Sequence, residues 1–454
     1  MRGIAASMLV CQLVLLPLTS SAQDARIATP GAEASVLRLA QADAVARALQ
    51  ASATLGQLRA LEEAAGADVR VARAARAPQL ELSAGYTRNS DVPELATFVT
   101  EAAGTLPRRQ VIFPNIPDNY RARLGATLPL YTGGRTASLV EAAGAERTAA
   151  GKDLESAKAE LVLETSTAYW SLVTAQQAEH VLSEALVSYD AHLKDAQNRE
   201  RFGMAARNDV LAVQVERDRA ELSKLQAQNA SQVVHANLAR LLDVADTRIE
   251  PAEPLEREAA FREELPALVA TALAARPERA ALVSRLTAAE ARIRAERAAR
   301  LPQLLASAGY DYANPNRKIL PPEAVWNDTW DVSVNLSLNV FDAGKTSANV
   351  ARATARTNAL RFQLEDLDRR IRLQVTQRYV ELRTADAAAD LADRNLEAAR
   401  ENRRVAAERY REGVIASAEL LDAEVALLRA GLDRIETLAE ARLAVASLAR
   451  AVGR

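Results

Sequence analysis

The stretch Ala-Arg-Ala-Pro-Gln-Leu at residues 75–80 recurs as Ala-Arg-Leu-Pro-Gln-Leu at residues 299–304, and a Gly-Tyr pair follows each copy. The two stretches lie 224 residues apart. Further along the chain the spacing falls to 210 residues and stays there, as it does for Gly203 and Gly413. The chain is therefore a tandem duplication of a unit of roughly two hundred residues, with an insertion of 14 residues in the first copy, before residue 134. Solenoid repeats are much shorter, at about 20–50 residues.

Four stretches alternate apolar and polar residues with the period of two that is typical of β-strands. The clearest runs from Trp330 to Val340, where six apolar residues alternate with five polar ones. An antiparallel sheet with one face on a soluble core would give this pattern. Lipid is the better cover, because the strands are long enough to cross a bilayer at a tilt, aromatic residues cluster near their ends, and the helices are expected to pack on one another. We predict strands at about 79–89, 119–131, 303–312 and 329–341.

The two segments between the paired strands are rich in proline. The first runs from about 87 to 119 and the second from about 313 to 328. Proline argues against strand or helix, so we predict irregular loops at the outer end of the strands. The 14-residue insertion falls in the first loop, where extra length is tolerated most easily.

Long stretches without proline follow each strand pair, with apolar residues at three- and four-residue spacing. Each predicts a helix about 100 Å long, for which coiled-coil packing is expected. Each helix turns at a glycine, Gly203 or Gly413, into a return helix. The first predicted structural repeat runs over 23–243, with a short helix at about 36–76, a long helix at 135–201 and a return helix at 208–243. A connector follows at 244–263. The second repeat runs over 264–454, with a short helix at about 264–299, a long helix at 345–411 and a return helix at 417–452.

The first 22 residues have the features of a secretory signal peptide. Arg2 provides the positive charge, residues 8–18 are apolar, and small residues at 20–22 form a cleavage site. Cys11 is the only cysteine and is removed with the signal, while Val10 before it argues against a lipoprotein signal. We therefore expect an exported chain with neither disulfides nor thiolate chemistry.

The composition and the polar residues argue against an enzyme. The net charge is -2, which indicates no global attraction to nucleic acid, and only 4% of the residues are aromatic. The sequence contains no glycine-rich phosphate loop and no Cys/His cluster. The three histidines stand singly on predicted helices, where packed or solvated roles are expected rather than metal ligation: His180, His192 and His235. We predict no catalytic site, no cofactor and no metal site.

Each repeat has the order helix, strand, loop, strand, long helix, turn and return helix. With this order of elements, the chain resembles the TolC family of outer-membrane efflux channels over essentially its whole length after the signal. The resemblance rests on the paired Pro-Gln-Leu…Gly-Tyr starts and on the corner Phe341-Asp-Ala-Gly-Lys-Thr. It also rests on Arg409-Tyr410-Arg-Glu-Gly413, which is followed by Leu-Leu-Asp-Ala at 420–423. The first copy carries a weaker version of that last motif, around Gly203.

The resemblance implies an α+β membrane protein that forms a homotrimer in the outer membrane. Each protomer would give four strands to one shared 12-stranded β-barrel, and its helices would form a long α-helical coiled-coil tunnel in the periplasm. The residues themselves require some ring of protomers, because four strands cannot close a barrel and an open edge in lipid leaves backbone groups unpaired. The sequence alone does not separate two protomers from three.

In the family, the helix turns meet a periplasmic adaptor protein and carry acidic residues that narrow the pore. The resemblance places the adaptor contact at Gly203 and Gly413, and the pore constriction at Glu419 and Asp422. The alternative for these two acids is a solvated first turn of a helix, where carboxylates favour the helix dipole.

The resemblance further assigns Asp209 and Tyr410 to a network that closes the channel. The arginine of that network falls at Ile415 here, so Arg207, Arg409 or Arg411 would have to replace it. The function implied is a passive exit duct that receives cargo from an inner-membrane transporter through the adaptor. Two alternatives stay open from the sequence: a periplasmic coiled-coil scaffold, and the same duct serving protein secretion.

Overall fold

The computed structural model describes residues 36–99, 106, 108–245, 247–258 and 263–454. The predicted signal peptide at 1–22 lies outside the described residues. The described elements are, in chain order, β1 Val36–Leu39, α1 Gln41–Ala51, α2 Ala53–Ala74, β2 Gln79–Arg88, β3 Leu95–Val99, β4 Arg108–Phe113, β5 Asp118–Tyr131, α3 Arg135–Arg201, α4 Arg207–Leu242, β6 Arg248–Pro251, α5 Leu265–Ala275, α6 Pro277–Arg297, β7 Gln303–Asn314, β8 Asn327–Ser337, α7 Lys345–Arg411 and α8 Ser417–Val452.

The predicted strand pairs form one antiparallel four-stranded sheet in the order β2-β5-β7-β8. The two copies meet at the centre, where Gly125 of β5 lies opposite Gly309 of β7. Strands β2 and β8 form the two edges, and neither has an outer partner among the described residues. The sheet of a single chain is therefore open on both sides.

The apolar face of this sheet is uncovered. The side chains of β8 that alternate toward it are more than half exposed, for instance Trp330 at 74% and Leu336 at 70%. Aromatic rings gather at the end of the sheet away from the helices: Tyr86 lies 5.0 Å from Tyr120, and Tyr312 lies 4.9 Å from Trp326, between ring centroids. An apolar band that ends in aromatic rings is the arrangement that suits a lipid bilayer and its interface.

Strand β8 is shorter than the predicted strand at 329–341. It ends at Ser337, which is paired with Gln303, the first residue of β7. Pro302 stands before β7, and residues 338–341 have no paired strand among the described residues. The alternation of apolar and polar residues continues through Leu338 and Val340, beyond the end of β8. The alternation in the sequence does not show where a strand loses its paired neighbour, so the end of the strand was predicted too late.

Part of the first predicted loop, at about 87–119, is a β-hairpin. Strand β3 pairs with β4 in antiparallel register, from Leu95 opposite Phe113 to Val99 opposite Arg108. The prediction of irregular structure was wrong here. Pro93 and Pro114 lie just outside the two strands, where a proline costs no ladder hydrogen bond.

The chain before the first helix was also predicted incorrectly as part of a helix at about 36–76. Residues Val36–Leu39 form strand β1, which pairs in parallel with β6 in the connector at 244–263. Ile249 of β6 is buried, and Ile249 N–H donates to Nε2 of His235 at 3.0 Å. This pairing joins residues more than two hundred positions apart, so no local pattern indicates it.

Helices α3 and α7 each contain 67 residues, which corresponds to about 100 Å. Both begin after a glycine with a φ of 84°, a value in the left-handed region that favours glycine: Gly134 and Gly344. Trp170 of α3 is buried, and its indole N–H donates to Oε1 of Gln41, the first residue of α1, at 3.1 Å. Trp170 is therefore part of the packed core of the helices.

The two strand-to-helix corners differ in their capping group. In the second copy the carboxylate of Asp342 accepts the backbone N–H of Thr346 at 2.8 Å and that of Gly344 at 3.0 Å. In the first copy the hydroxyl of Thr132 accepts the backbone N–H of Thr136 at 3.3 Å. Hydrogen bonds from Thr346, above all from its hydroxyl, hold the pKa of Asp342 below its usual range.

We predict that acid loosens the first turn of α7 and leaves that of α3 unchanged. A carboxyl whose pKa is lowered by folding stabilises the fold above its unfolded pKa of about 4, and this contribution is lost as the pH falls through the folded value. The measurement is the protection of the Thr346 amide from hydrogen exchange at about pH 7 and about pH 3. Thr136 is the internal control, and Asp342→Asn should remove the pH dependence. Equal loss of protection at both corners would contradict this account.

Candidate functional site at the helix turns

The two turns that end the long helices have the same backbone structure. Gly203 and Gly413 have φ values of 72° and 73°. Each turn is closed by a bond from the residue after the glycine to a carbonyl five residues earlier, Met204 N–H to Arg199 at 2.8 Å and Val414 N–H to Arg409 at 2.9 Å. This is the hydrogen-bonding pattern of a helix C-terminus with a left-handed glycine.

The tips of the turns present apolar side chains to the outside. Phe202 is 78% exposed and Met204 is 69% exposed in the first turn, and Val414 is 61% exposed in the second. A Cβ added at either glycine would meet no atom within 4 Å, so backbone conformation and not space requires the glycines. The paired turns therefore expose apolar side chains at the end of the helices, beside the exposed charged residues Arg201, Arg411 and Glu412.

Glu419 and Asp422 lie in the first two turns of α8 and are exposed. They are three residues apart, so they share one side of the helix. Neither forms an ion pair with any described residue of its own chain within 4 Å. Their carboxylates are thus available to solvent, to a neighbouring protomer or to a permeating ion.

Among the described residues, no hydrogen bond joins Asp209 to Tyr410. A carboxylate oxygen of Asp209, in the first turn of α4, accepts the backbone N–H of Ala206 at a long 3.4 Å. Tyr410 is buried, and no described residue hydrogen-bonds to its hydroxyl. Burial raises the pKa of Tyr410.

The cation beside Tyr410 comes from the first copy. The guanidinium of Arg199 lies 4.1 Å from the centroid of the Tyr410 ring, and its Nη2 donates to the Tyr410 carbonyl at 3.1 Å. Arg199 is in turn held by Asp195, whose carboxylate accepts its Nε at 2.9 Å. Arg199 is not among the arginines named from the sequence, Arg207, Arg409 and Arg411. Ile415, at the position of the family's arginine, is buried against Tyr410 in an apolar cluster.

A buried polar network links the two repeats beside this tyrosine. The imidazole of His192 on α3 lies between Glu424 and Ser417 of α8: Nδ1 is 2.9 Å from a Glu424 carboxylate oxygen, and Nε2 is 2.9 Å from the Ser417 hydroxyl. The second Glu424 oxygen accepts the hydroxyl of Ser188 at 2.9 Å, and Arg403 of α7 donates to that same hydroxyl at 2.9 Å. The network thereby connects α3 to the long helix α7 and the return helix α8 of the second repeat.

The sequence contained only a weak signal for this network. Ser188 and His192 are four residues apart and so share one face of α3, and Ser417 and Glu424 are seven apart on α8. Nothing in either spacing indicates that the two faces meet. His192 was expected to be packed or solvated, and its side chain is 1% exposed.

A cavity of about 530 Å³ lies next to the network, between α3, α7 and α8. Its walls include Tyr189, Leu428 and Ile435, with Arg400, Arg403 and Arg434 among the polar residues. Burial raises the pKa of Tyr189 to about 12. The cavity is thus a groove with both apolar and charged walls, in which the three arginines are accompanied by two carboxylates, Glu184 and Glu424.

Among the described residues, no group of three or more His, Cys, Asp or Glu side chains is arranged to hold a metal ion. In the same part of the chain, none of the helices combines the length and the apolar character that a membrane span requires.

Comparisons with known proteins agree with this architecture. Protein CyaE of Bordetella pertussis is 27% identical over 420 residues, which cover 91% of this chain and 84% of CyaE. Outer membrane protein OprJ of Pseudomonas aeruginosa is 26% identical over 409 residues, or 86% of this chain and 79% of OprJ. The crystal structure of a membrane protein from Pseudomonas aeruginosa has a TM-score of 0.77 at 24% identity, covering 91% of this chain and 93% of that one.

The structural likeness confirms the predicted TolC-like fold. The sequence profile of the family described as outer membrane efflux protein matches residues 44–243 and 268–454, which span most of both repeats. A place in the outer membrane and a role as a transport channel, both expected from the sequence, are confirmed by these matches. The chain belongs to the outer membrane efflux protein family.

Proposed function

We propose that this chain is the exit duct of a tripartite efflux or secretion system, working as a homotrimer with a periplasmic adaptor and an inner-membrane transporter. The observation that carries the proposal is the open four-stranded sheet with an uncovered apolar face. Each unpaired backbone group in lipid costs several kcal/mol, so the edges β2 and β8 require partner strands from other copies. Three copies would close twelve strands around a lumen.

The helices support the same assembly. On α4 and α7, large apolar side chains are more than half exposed on a single chain, namely Leu222, Leu225, Val233, Phe362 and Leu373. Coiled-coil helices bury such stripes against neighbouring helices. Packing of α4 against α7 of the next protomer would cover both stripes and complete a closed helical tunnel.

The adaptor would dock at the apolar surface of the turns around Gly203 and Gly413. Phe202, Met204 and Val414 supply the exposed apolar contacts there. The groove beside Tyr189 has apolar walls and more arginines than carboxylates, so an amphipathic adaptor helix with acidic flanks would suit it. The adaptor would then connect the duct to an inner-membrane transporter that supplies the energy.

We predict that Val334→Arg prevents assembly in the outer membrane, whereas Asn335→Arg does not. Val334 is on the apolar face of β8, and an arginine at the bilayer midplane costs about 2–4 kcal/mol per chain. Asn335 is the next residue, on the polar face, and is the matched control. The measurement is the amount of each variant in outer-membrane fractions and its oligomeric state after extraction in detergent. Equal recovery of both variants would contradict a lipid-facing β8.

We propose that Glu419 and Asp422 line the pore and favour cations, since rings of carboxylates select ions of the opposite charge. In planar bilayers the double variant Glu419→Gln/Asp422→Asn should lower the ratio of cation to anion permeability several-fold. The control is Glu440→Gln, which removes an exposed carboxylate farther along the same helix. If the double variant and the control give the same permeability ratio, the two acids belong to a solvated helix face.

We also propose that the network around His192 and Glu424 holds the tunnel closed by tying α3 to α8. Glu424→Ala would remove one hydrogen-bond partner from each of the buried side chains His192 and Ser188, which destabilises the closed arrangement by about 1–3 kcal/mol. Single channels of this variant should show higher mean conductance and longer openings. Glu436→Ala, an exposed acid on the same helix, is the control. Unchanged conductance in a folded Glu424→Ala protein would rule out the closing role.

A further inference from the structure

A short segment folds back over the polar face of the sheet at its outer end. Asn316, which is 3% exposed, donates through its side-chain amide to the Asn327 carbonyl at 3.0 Å and to the Thr329 hydroxyl at 3.1 Å. Its own amide oxygen accepts the backbone N–H of Lys318 at 3.0 Å. These bonds hold residues 315–318 against the strands on the side opposite the apolar face.

The segment places the ammonium of Lys318 beside two carboxylates on the polar face of the sheet, Asp311 and Asp331. The ammonium of Lys318 lies 2.7 Å from Asp331 and 3.3 Å from Asp311. Asp311 also accepts from Arg121 at 2.6 Å and from Arg123. The Asp311 side chain is 4% exposed, so its charge is neutralised by these neighbours. Three cations thus surround two carboxylates.

Arg317 adds a fourth cation. Its Nη2 donates to the Asn119 side-chain oxygen at 3.3 Å, and no described carboxylate lies within 4 Å of its guanidinium. The Arg121 side chain is 59% exposed, so part of its guanidinium also faces open space. The cluster therefore carries an excess of two positive charges per chain.

Three of these cations, Arg121, Arg317 and Lys318, line a cavity of about 620 Å³ on the polar face. The carboxylate of Asp311, whose charge these cations neutralise, also lines the cavity. The other polar walls are uncharged amides and hydroxyls that can donate hydrogen bonds: Ser83, Thr87, Asn89, Asn119 and Asn316. Guanidinium groups bind carboxylates and phosphates through two parallel hydrogen bonds, and uncharged donors complete such a site.

We propose that this cavity binds soluble oxyanions, meaning solutes that carry a phosphate or carboxylate group, through Arg317, Arg121 and Lys318. The proposal rests on the proposed function, because only in a closed barrel does the polar face line a lumen. Lipid headgroups meet the opposite face of the sheet, so the ligand comes from the lumen or from outside the cell.

The position of the cavity gives the site its role. The strands enter from the helices and turn back at residues 88–118 and 314–327, so the cavity lies at the end of the duct farthest from the helix turns. In a ring of protomers the site would recur around the mouth and raise the local concentration of anions there. Anionic cargo would then meet an attractive exit after passing the acidic turns at the other end.

Calorimetric titration of the full-length mature protein in detergent with inorganic pyrophosphate tests the proposal. We expect one pyrophosphate bound per chain and a dissociation constant about tenfold higher for Arg317→Gln and for Lys318→Gln, since each removes a charge-assisted hydrogen bond. Asp331→Asn should change affinity in the opposite direction, because it removes a competing negative charge. A general loss of folding would not produce that gain.

Arg88→Gln is the matched control. Arg88 pairs with Asp118 at 3.1 Å on the face of the sheet that carries Tyr86, so its loss should leave pyrophosphate affinity unchanged. Absence of binding, or one affinity for all variants, would overturn the site even if the protein forms channels. Binding that depends on Arg317 in a protein that forms no channels would instead keep the site and refute the duct.

Discussion

The unpaired edges of the four-stranded sheet are the constraint on which the rest of the structure depends. Strands β2 and β8 leave backbone N–H and C=O groups without partners on a surface whose side chains require lipid. Lipid supplies no hydrogen bonds, so such edges persist only when another copy of the chain covers them. Once copies form a ring, the helices that leave the sheet at Gly134 and Gly344 must also form a ring, and a continuous tunnel follows from the closure of the sheet.

Because the chain is a duplication, both copies contribute helices of the same length. The two copies differ in the contacts that they make where these helices turn. Both copies have a 67-residue helix, a glycine corner at its start and a glycine turn at its end. The ties across the turns are asymmetric: Arg199 and His192 come from the first copy, and Tyr410 and Glu424 from the second. Ile415 is buried with Tyr410 in an apolar cluster, and the buried pair of His192 with Glu424 joins the repeats.

Local pattern was enough to predict much of this fold. Period-two alternation located the sheet around Trp330, and the long stretches without proline located α3 and α7. Pattern failed wherever a structure depends on residues distant in sequence. The parallel pair of β1 and β6, the end of β8 at Ser337 and the network of His192 all depend on which surfaces meet. The β3–β4 hairpin was missed because nearby prolines, which lie outside its strands, were taken to exclude it.

The number of chains in the assembled protein tests the central claim most directly. The protein would be extracted from outer membranes in a mild detergent and its mass determined by native mass spectrometry. Closure of a twelve-stranded barrel by four strands per chain predicts three identical chains without the signal peptide. A monomer would leave both sheet edges open in lipid, and a dimer would close only eight strands. Either result would contradict the account, and the apolar face of the sheet would then require a different partner.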